Sequence, residues 1–232
     1  MDDKMIAAIV TRKWPLAQGY HAVELQIKHR LELPSFEDGA IVDLARGNGS
    51  RAVRSYPLWH APSRRDAFLL GIRQEDDSET ARASSEFPWN RGDEIYVGVP
   101  RDTAVVIDQS ARYILFSAGV GVKAIAGVAR HIASVAGCCL EIHNFARTPE
   151  RAVFRTDLDE LRDHAQVNHR IGLSEAQIAN ATAHALSPTH ANSHVICSGP
   201  PAFMKLIECQ ALQWVYPSNM HKIVLGDRVF GK

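Results

Sequence analysis

Arg112-Tyr-Ile-Leu-Phe-Ser-Ala-Gly-Val-Gly-Val-Lys-Ala-Ile-Ala-Gly-Val-Ala-Arg130 reads as a buried strand, a tight glycine turn and a helix. The run from Tyr113 to Phe116 is apolar and β-favouring, Gly119 and Gly121 permit positive φ and close backbone approach, and Ile125, Val128, Ala129 and Ile132 recur at helical spacing. A helix that begins this way presents its first-turn amides and the positive end of its dipole, a combination that favours a diphosphate. The same Gly-x-Gly-x-x-Ala pattern also serves βα units that use glycine only to turn.

Downstream, the pattern of strand then helix repeats: Leu140 to Asn144 before 149–163, Val195 to Ser198 before 202–213, and a last strand at Lys222 to Leu225. Such alternation predicts a parallel sheet with helices on its faces. Upstream the punctuation differs. Short runs at Met5 to Val10, Val23 to Ile27, Ala40 to Leu44, Ala52 to Tyr56, Ala67 to Ile72 and Glu94 to Val97 are separated by turn residues, as six strands of a barrel or sandwich would be. Gly47-Asn48-Gly49-Ser50 suits a hairpin between two of them. The change of pattern divides the chain into domains 1–108 and 109–232.

Composition narrows the function classes. Hydrophobic residues at 46% and charged residues at 22% predict a folded soluble protein. Lysine plus arginine (26) equals aspartate plus glutamate (26), leaving no net field to gather nucleic acid or an anionic membrane. The acidic start, Met1-Asp-Asp-Lys4, and the lack of any run near the roughly 20 apolar residues of a membrane span point to the cytoplasm. Four cysteines, with Cys138 and Cys139 adjacent, lack disulfide-framework or metal spacing and read as core residues. No Gly-x-Ser-x-Gly elbow or Walker loop supports a hydrolase or nucleoside triphosphatase.

Four stretches together resemble the ferredoxin reductase superfamily, most closely the phthalate dioxygenase reductase type serving oxygenases and demethylases. Phe36-Glu-Asp-Gly-Ala-Ile-Val-Asp43 followed by Arg54-Ser-Tyr-Pro-Leu58 resembles that family's barrel strands and Arg-x-Tyr-Ser flavin motif. Ser117 to Ile125 is similar to its Gly-Gly-Ile-Gly-Ile-Thr-Pro-Ile turn, Leu140 to Phe154 to the strand ending in Ala-Arg-Ser with its helix, and Val195-Ile-Cys-Ser-Gly-Pro-Pro-Ala-Phe-Met204 to Cys-Gly-Pro-x-x-Phe-Met. The resemblance implies a six-stranded antiparallel β-barrel of flavin-binding type followed by an α/β Rossmann-like sheet of NAD(P)-binding type.

It also implies roles. Hydride transfer requires flavin and nicotinamide rings to stack at the cleft between the two domains, each cofactor's phosphate held by its own domain. Arg54 would pair with the flavin phosphate, and Tyr56 would lay its ring or hydroxyl against the flavin, flanked by Ser55, Pro57 and Leu58. Read without the resemblance, Arg54 is a solvated strand charge and Tyr56 a half-buried strand residue. Gly119, Val120, Gly121, Val122 and Lys123 would receive the nicotinamide cofactor's pyrophosphate. Ser198, Gly199 and Pro200 would wall its nicotinamide, Ser198 standing where the family's cysteine packs beside the reacting carbon. Arg147 would meet the adenosine ribose end, and Phe230 would cover the flavin or close the core. Glu141, 22 positions beyond Gly119, satisfies the ribose-binding spacing only superficially, because it falls mid-strand. The cofactors implied are FMN, with FAD as the alternative, and NADH, with NADPH as the alternative.

Each motif is altered. Pro57 removes a hydroxyl and a backbone donor, Lys123 and Ala124 replace Thr-Pro, and Ser198 replaces a cysteine while Cys197 points the opposite way. The Gly-Gly-Ser phosphate loop expected near 78–86 is not recognisable, although Arg82, Ser84 and Ser85 could supply donors. No Cys-x4-Cys-x2-Cys segment occurs in the 232 residues, so the expected electron acceptor, a ferredoxin or oxygenase component, lies elsewhere. Two classes follow: a flavin reductase passing electrons to an iron–sulfur or haem partner, or a degenerate subunit that binds one cofactor or none. His184, His190 and His194 sit in an expected surface loop without ligand register, and His164 and His169 share no helix face, so no metal site is expected.

Overall fold

A computed structural model of the chain describes residues 5–28, 35–47, 52–60, 67–74, 89–103, 105–135, 139–188 and 191–229. It forms two units, Met1–Thr103 with Leu225–Lys232, and Ala104–Val224.

The first unit contains β1 (Ile6–Ala17), β2 (Tyr20–Ile27), β3 (Ile41–Ala45), β4 (Ala52–His60), β5 (Ala67–Arg73), β6 (Glu94–Val97) and the late strand β12 (Gly226–Val229). All pairings are antiparallel in the order β4-β3-β6-β1-β2-β5, and β5 pairs again with β4, so six strands close on themselves. Closure follows from the alternation: Val10, Leu25, Val42, Leu44, Leu58, Leu70, Ile72, Ile95 and Val97 meet in one buried cluster. Gly19, with φ of 76°, makes the two-residue β1–β2 turn between the paired Ala17 and Tyr20. β1 runs seven residues past the expected Val10, through Pro15. Its pairing with β6 stops at Ile9, and beyond Val10 its ladder is with β2, so the missing proline N–H costs no ladder bond on the open side.

The second unit is a parallel sheet ordered β11-β10-β7-β8-β9, with β7 (Arg112–Ala118), β8 (Cys139–Ala146), β9 (Gln166–Ile171), β10 (Ser193–Ser198) and β11 (Met220–Lys222). Its α-helices are α1 (Gly121–Ala133), α2 (Arg155–Asp159), α3 (Glu175–Leu186) and α4 (Pro201–Ala211). The β7-turn-α1 unit falls where its apolar spacing requires.

Several expectations are corrected. The units change at Thr103/Ala104 rather than at 108/109, and the last residues return to the first unit because Gly226–Val229 pairs with Ala52–Ser55. The helix expected at 149–163 is a 3₁₀ turn at Pro149–Arg151 and the short α2, interrupted by the left-handed Phe154 at φ 56°. The final parallel strand is Met220–Lys222, not Lys222 to Leu225. β9 and α3 were not anticipated; β9 is the sheet's edge strand, half-buried, and carries no strong apolar run. His184 closes α3 and His194 lies in β10, where its ring stacks on Tyr113 and His221, so neither belongs to a surface loop. Cys139 and Cys209 are exposed, and of the described cysteines only Cys197 is core. Asn48, Gly49, Ser50, Cys138 and His190 lie outside the described residues.

Candidate functional site

From β7 the chain adds β8 and then β9 on one side, and returns to place β10 and β11 on the other. The order therefore reverses between β7 and β10. Ligands of open parallel sheets bind beyond the carboxyl ends of the strands at such a reversal. The carboxyl ends here are Gly119–Gly121 and Ser198–Pro200.

The two glycines of the β7–α1 turn do different work. Gly119 takes φ 56° and makes the turn. Gly121 has ordinary helical φ; its lack of a side chain is needed because a Cβ there would lie 2.5 Å from the Ser198 carbonyl oxygen. A Cβ on Gly199 would meet Phe203 Cδ1 at 2.8 Å and the Ala118 Cβ at 3.2 Å. The ends of β7 and β10 are thus in backbone contact. α1 starts at Val120 with no side-chain cap and no acid in its first turn, and α4 starts at Pro200 in the same state. By contrast α3 caps itself through Ser174 and Gln177 and carries Glu175 in its first turn. Glycine backbone and an uncapped, acid-free helix start fit the phosphates of a dinucleotide at α1.

The side chains around this turn are occupied. Lys123 is buried, ion-paired with Asp157 of α2, and its ammonium lies 5.2 Å from the Phe154 ring centroid. The hydroxyl of Ser198 is fully buried and donates to the Ile223 carbonyl at 3.0 Å, so what Ser198 offers beyond the strand is backbone. Cys197 packs on the opposite face with Phe145, Met204 and Ile207, and burial pushes its thiol up to about 12. Arg147 is exposed at the end of β8, its carbonyl 3.8 Å from where a Gly172 Cβ would stand. Glu141 is committed mid-strand: His143 at 2.9 Å and Arg112 at 2.8 Å hold its carboxyl below the usual range despite partial burial.

On β4 of the barrel unit, Arg54, Tyr56 and Leu58 alternate with Ser55 and Pro57. Leu58 is fully buried in the barrel core. Ser55 is buried and donates 2.5 Å to Asp43, which Arg101 also binds. Pro57 is buried opposite Ile41. Of the five candidates, Arg54 and Tyr56 keep accessible surface, and Tyr56 meets Trp89 edge-on with centroids 5.7 Å apart. Arg82, Ser84, Ser85 and Phe230 lie outside the described residues. Sequence reasoning missed Trp89 and Asp157, whose partners are 33 and 34 positions away and leave no local signal. Among the described residues no cluster of histidine, cysteine, aspartate or glutamate could hold a metal ion, and no helix is long and apolar enough to cross a membrane.

No family model matches the chain. It is similar to the phthalate 4,5-dioxygenase oxygenase reductase subunit of Pseudomonas putida, 24% identical over 95% of this chain and 67% of that protein. It is likewise similar to a vanillate O-demethylase oxidoreductase of Pseudomonas putida, 28% identical over 94% of this chain and 68% of that one. Among solved structures, phthalate dioxygenase reductase, described as modular for electron transfer from pyridine nucleotides to a 2Fe–2S centre, superposes with a TM-score of 0.70 at 22% identity, covering 96% of this chain and 68% of that one. The ferredoxin reductase of carbazole 1,9a-dioxygenase superposes at 0.69 with 17% identity, covering 94% and 68%. This chain spans about two thirds of the length of these relatives. The fold is the two-domain ferredoxin reductase fold.

Proposed function

We propose that this chain, a ferredoxin reductase-like protein, is the reductase component of an oxygenase or demethylase system. It takes electrons from NADH and passes them through FMN to an iron–sulfur or haem partner on a ferredoxin or oxygenase component. The observation that carries the reading is the backbone contact at the β7/β10 reversal, where Gly121 and Ser198 meet beside an uncapped helix start.

In this reading the first-turn amides of α1, from Val120 to Val122, hold the pyrophosphate. Ser198, Gly199 and Pro200 wall the nicotinamide by their backbone, and Arg147 meets the adenosine end. On the barrel, the Arg54 guanidinium pairs with the flavin phosphate and Tyr56 supports the ring, its own position fixed by Trp89. A bound flavin would accept the hydride's two electrons and release them singly. The relatives named for phthalate, vanillate and carbazole systems support the class of partner; FMN and NADH rest on the sequence resemblance. The test is the absorbance of freshly purified protein: a yellow preparation whose flavin band bleaches on anaerobic addition of NADH is expected. Colourless protein that takes up neither FMN nor FAD would overturn the assignment in favour of a degenerate subunit. The mass of the released flavin separates FMN from FAD, and parallel additions of NADH and NADPH separate the nucleotides.

A further inference from the structure

β3 and β4 pair with Asp43 directly opposite Ser55. Val42 and Leu44, on either side of Asp43, enter the barrel core, so Asp43 points to the other face, and there it is buried. Ser55 is buried as well and donates its hydroxyl to Asp43 Oδ1 at 2.5 Å. Arg101 closes a two-point fork on the same carboxylate, Nη2 to Oδ1 at 3.0 Å and Nη1 to Oδ2. The Arg101 backbone is fixed too: its N–H donates to the Ile41 carbonyl at 2.8 Å and its carbonyl accepts the Ile41 N–H at 2.7 Å.

A buried ion pair is a weak source of stability, because desolvation offsets most of the attraction, and its better-attested use is to fix register. Register matters on β4. Arg54 and Tyr56 flank Ser55 and stand on the opposite face, and a slip of one residue would exchange the two faces. On its second side β4 changes neighbour at this point: β12 pairs with it through Ala52–Ser55, and β5 from Leu58 to His60. Among the described residues, Tyr56 and Pro57 therefore have β3 as their one ladder partner. An apolar pair facing across β3 and β4 would tolerate a slip. A carboxylate that takes a hydroxyl from β4 and a guanidinium fork from a segment bonded to Ile41 of its own strand does not.

We propose that Asp43 is a positioning residue for the flavin-binding strand: with Arg101 and Ser55 it sets the register of β4 against β3 and so aims Arg54 and Tyr56. The inference rests on the proposed reductase reading and adds to it two residues, Asp43 and Arg101, that act through Arg54 and Tyr56 rather than on the flavin.

The test compares FMN with riboflavin, which lacks the phosphate, each titrated into the flavin-free full chain by fluorescence quenching, with thermal unfolding followed in parallel. Partial unfolding lowers both affinities by one factor, so their ratio reads the placement of Arg54 and not the fraction folded. In Asp43→Asn, FMN affinity should fall about tenfold or more, and the wild-type preference for FMN over riboflavin should fall toward that of Arg54→Ala. Ser55→Ala, which leaves the Asp43–Arg101 pair in place, should move the ratio the same way by about threefold, and it carries the test if Asp43→Asn does not fold. A ratio unchanged in the folded variants, whether or not both affinities drop together, overturns the proposal and leaves Asp43 a structural residue. Wild type that takes up neither flavin overturns the reductase reading and this inference with it, whereas a flavin-binding wild type with unchanged ratios in the variants overturns this inference alone.

Discussion

The candidate cofactor residues of the two units are made of different material. On the α/β unit the contact surface is main chain: Gly119 turns, Gly121 lies against the Ser198 carbonyl, and the nearby side chains are turned to internal work, Lys123 to Asp157 and Ser198 to Ile223. On the barrel unit the candidates are side chains: of the five on β4, Ser55, Pro57 and Leu58 are buried and Arg54 and Tyr56 keep accessible surface. Recognition by backbone tolerates side-chain replacement as long as the turn survives. Recognition by side chain does not. In the proposed reading, the substitutions Thr-Pro to Lys123-Ala124 and Cys to Ser198 therefore fall where they disturb least, whereas loss of Arg54 would remove the proposed flavin-phosphate partner, which nothing in the turn geometry replaces.

Substitution at Gly121 tests the main-chain half hardest. Gly121→Ala sets a methyl 2.5 Å from a backbone oxygen, which cannot rotate away as a side chain could. A loss of about 3 kcal/mol in urea unfolding is expected, with nicotinamide-nucleotide binding weakened in parallel. Gly199→Ala should cost less, because its nearest neighbour is the ring of Phe203. Equal stability of Gly121→Ala and wild type would break the contrast at its root. Next in size is Arg54→Ala, expected to lower flavin affinity by roughly 1.5–3 kcal/mol while thermal unfolding is nearly unchanged. Unaltered flavin occupancy would show that the barrel half does not depend on that guanidinium.

Lys123→Met sharpens the comparison from the other direction. Methionine keeps the buried stem and deletes the cation, leaving Asp157 with Arg130 at 3.7 Å as its remaining charged neighbour. Stability should fall by about 1–2 kcal/mol. Nucleotide affinity should stay within about twofold, since the cation serves α2 and not the turn. A large drop in affinity with stability intact would instead place Lys123 among the phosphate ligands.

How much of this was legible in the sequence divides along the same line. The β7-turn-α1 unit could be read because apolar period, glycine placement and helix spacing are all local to residues 112–132. The six barrel strands could be read from alternation. What escaped was set by distant partners: β12 is defined by Ala52–Ser55 rather than by its own residues, β9 by its place at the sheet edge, and the commitments of Lys123 and Ser198 by Asp157 and Ile223, 34 and 25 positions away. Gly121 was legible as a glycine that matters, but its reason is a carbonyl 77 positions later rather than its own φ. On the barrel, strand parity separates Arg54 and Tyr56 from Ser55 and Pro57, yet only the closed core explains why Leu58, on the same side as Tyr56, is lost to a ligand.

The smallest effect is expected at Cys197, which occupies the strand position next to Ser198 but on the opposite face. Burial raises its thiol to about 12, so the folded protein holds it neutral through the physiological range. A group whose folded value is raised contributes stability that is fully present below the ordinary thiol range and is lost as pH climbs toward the folded value. Unfolding midpoints should therefore be insensitive to Cys197 below about pH 8.5 and fall above it, and Cys197→Ala should flatten that alkaline decline. At pH 8, iodoacetamide followed by peptide mass analysis should modify the exposed Cys139 and Cys209 and leave Cys197 unmodified. Rapid alkylation of Cys197 would mean that β10 opens at its carboxyl end. The backbone contact between Ser198 and Gly121 would then be too loose to serve as the fixed wall of the proposed nucleotide site.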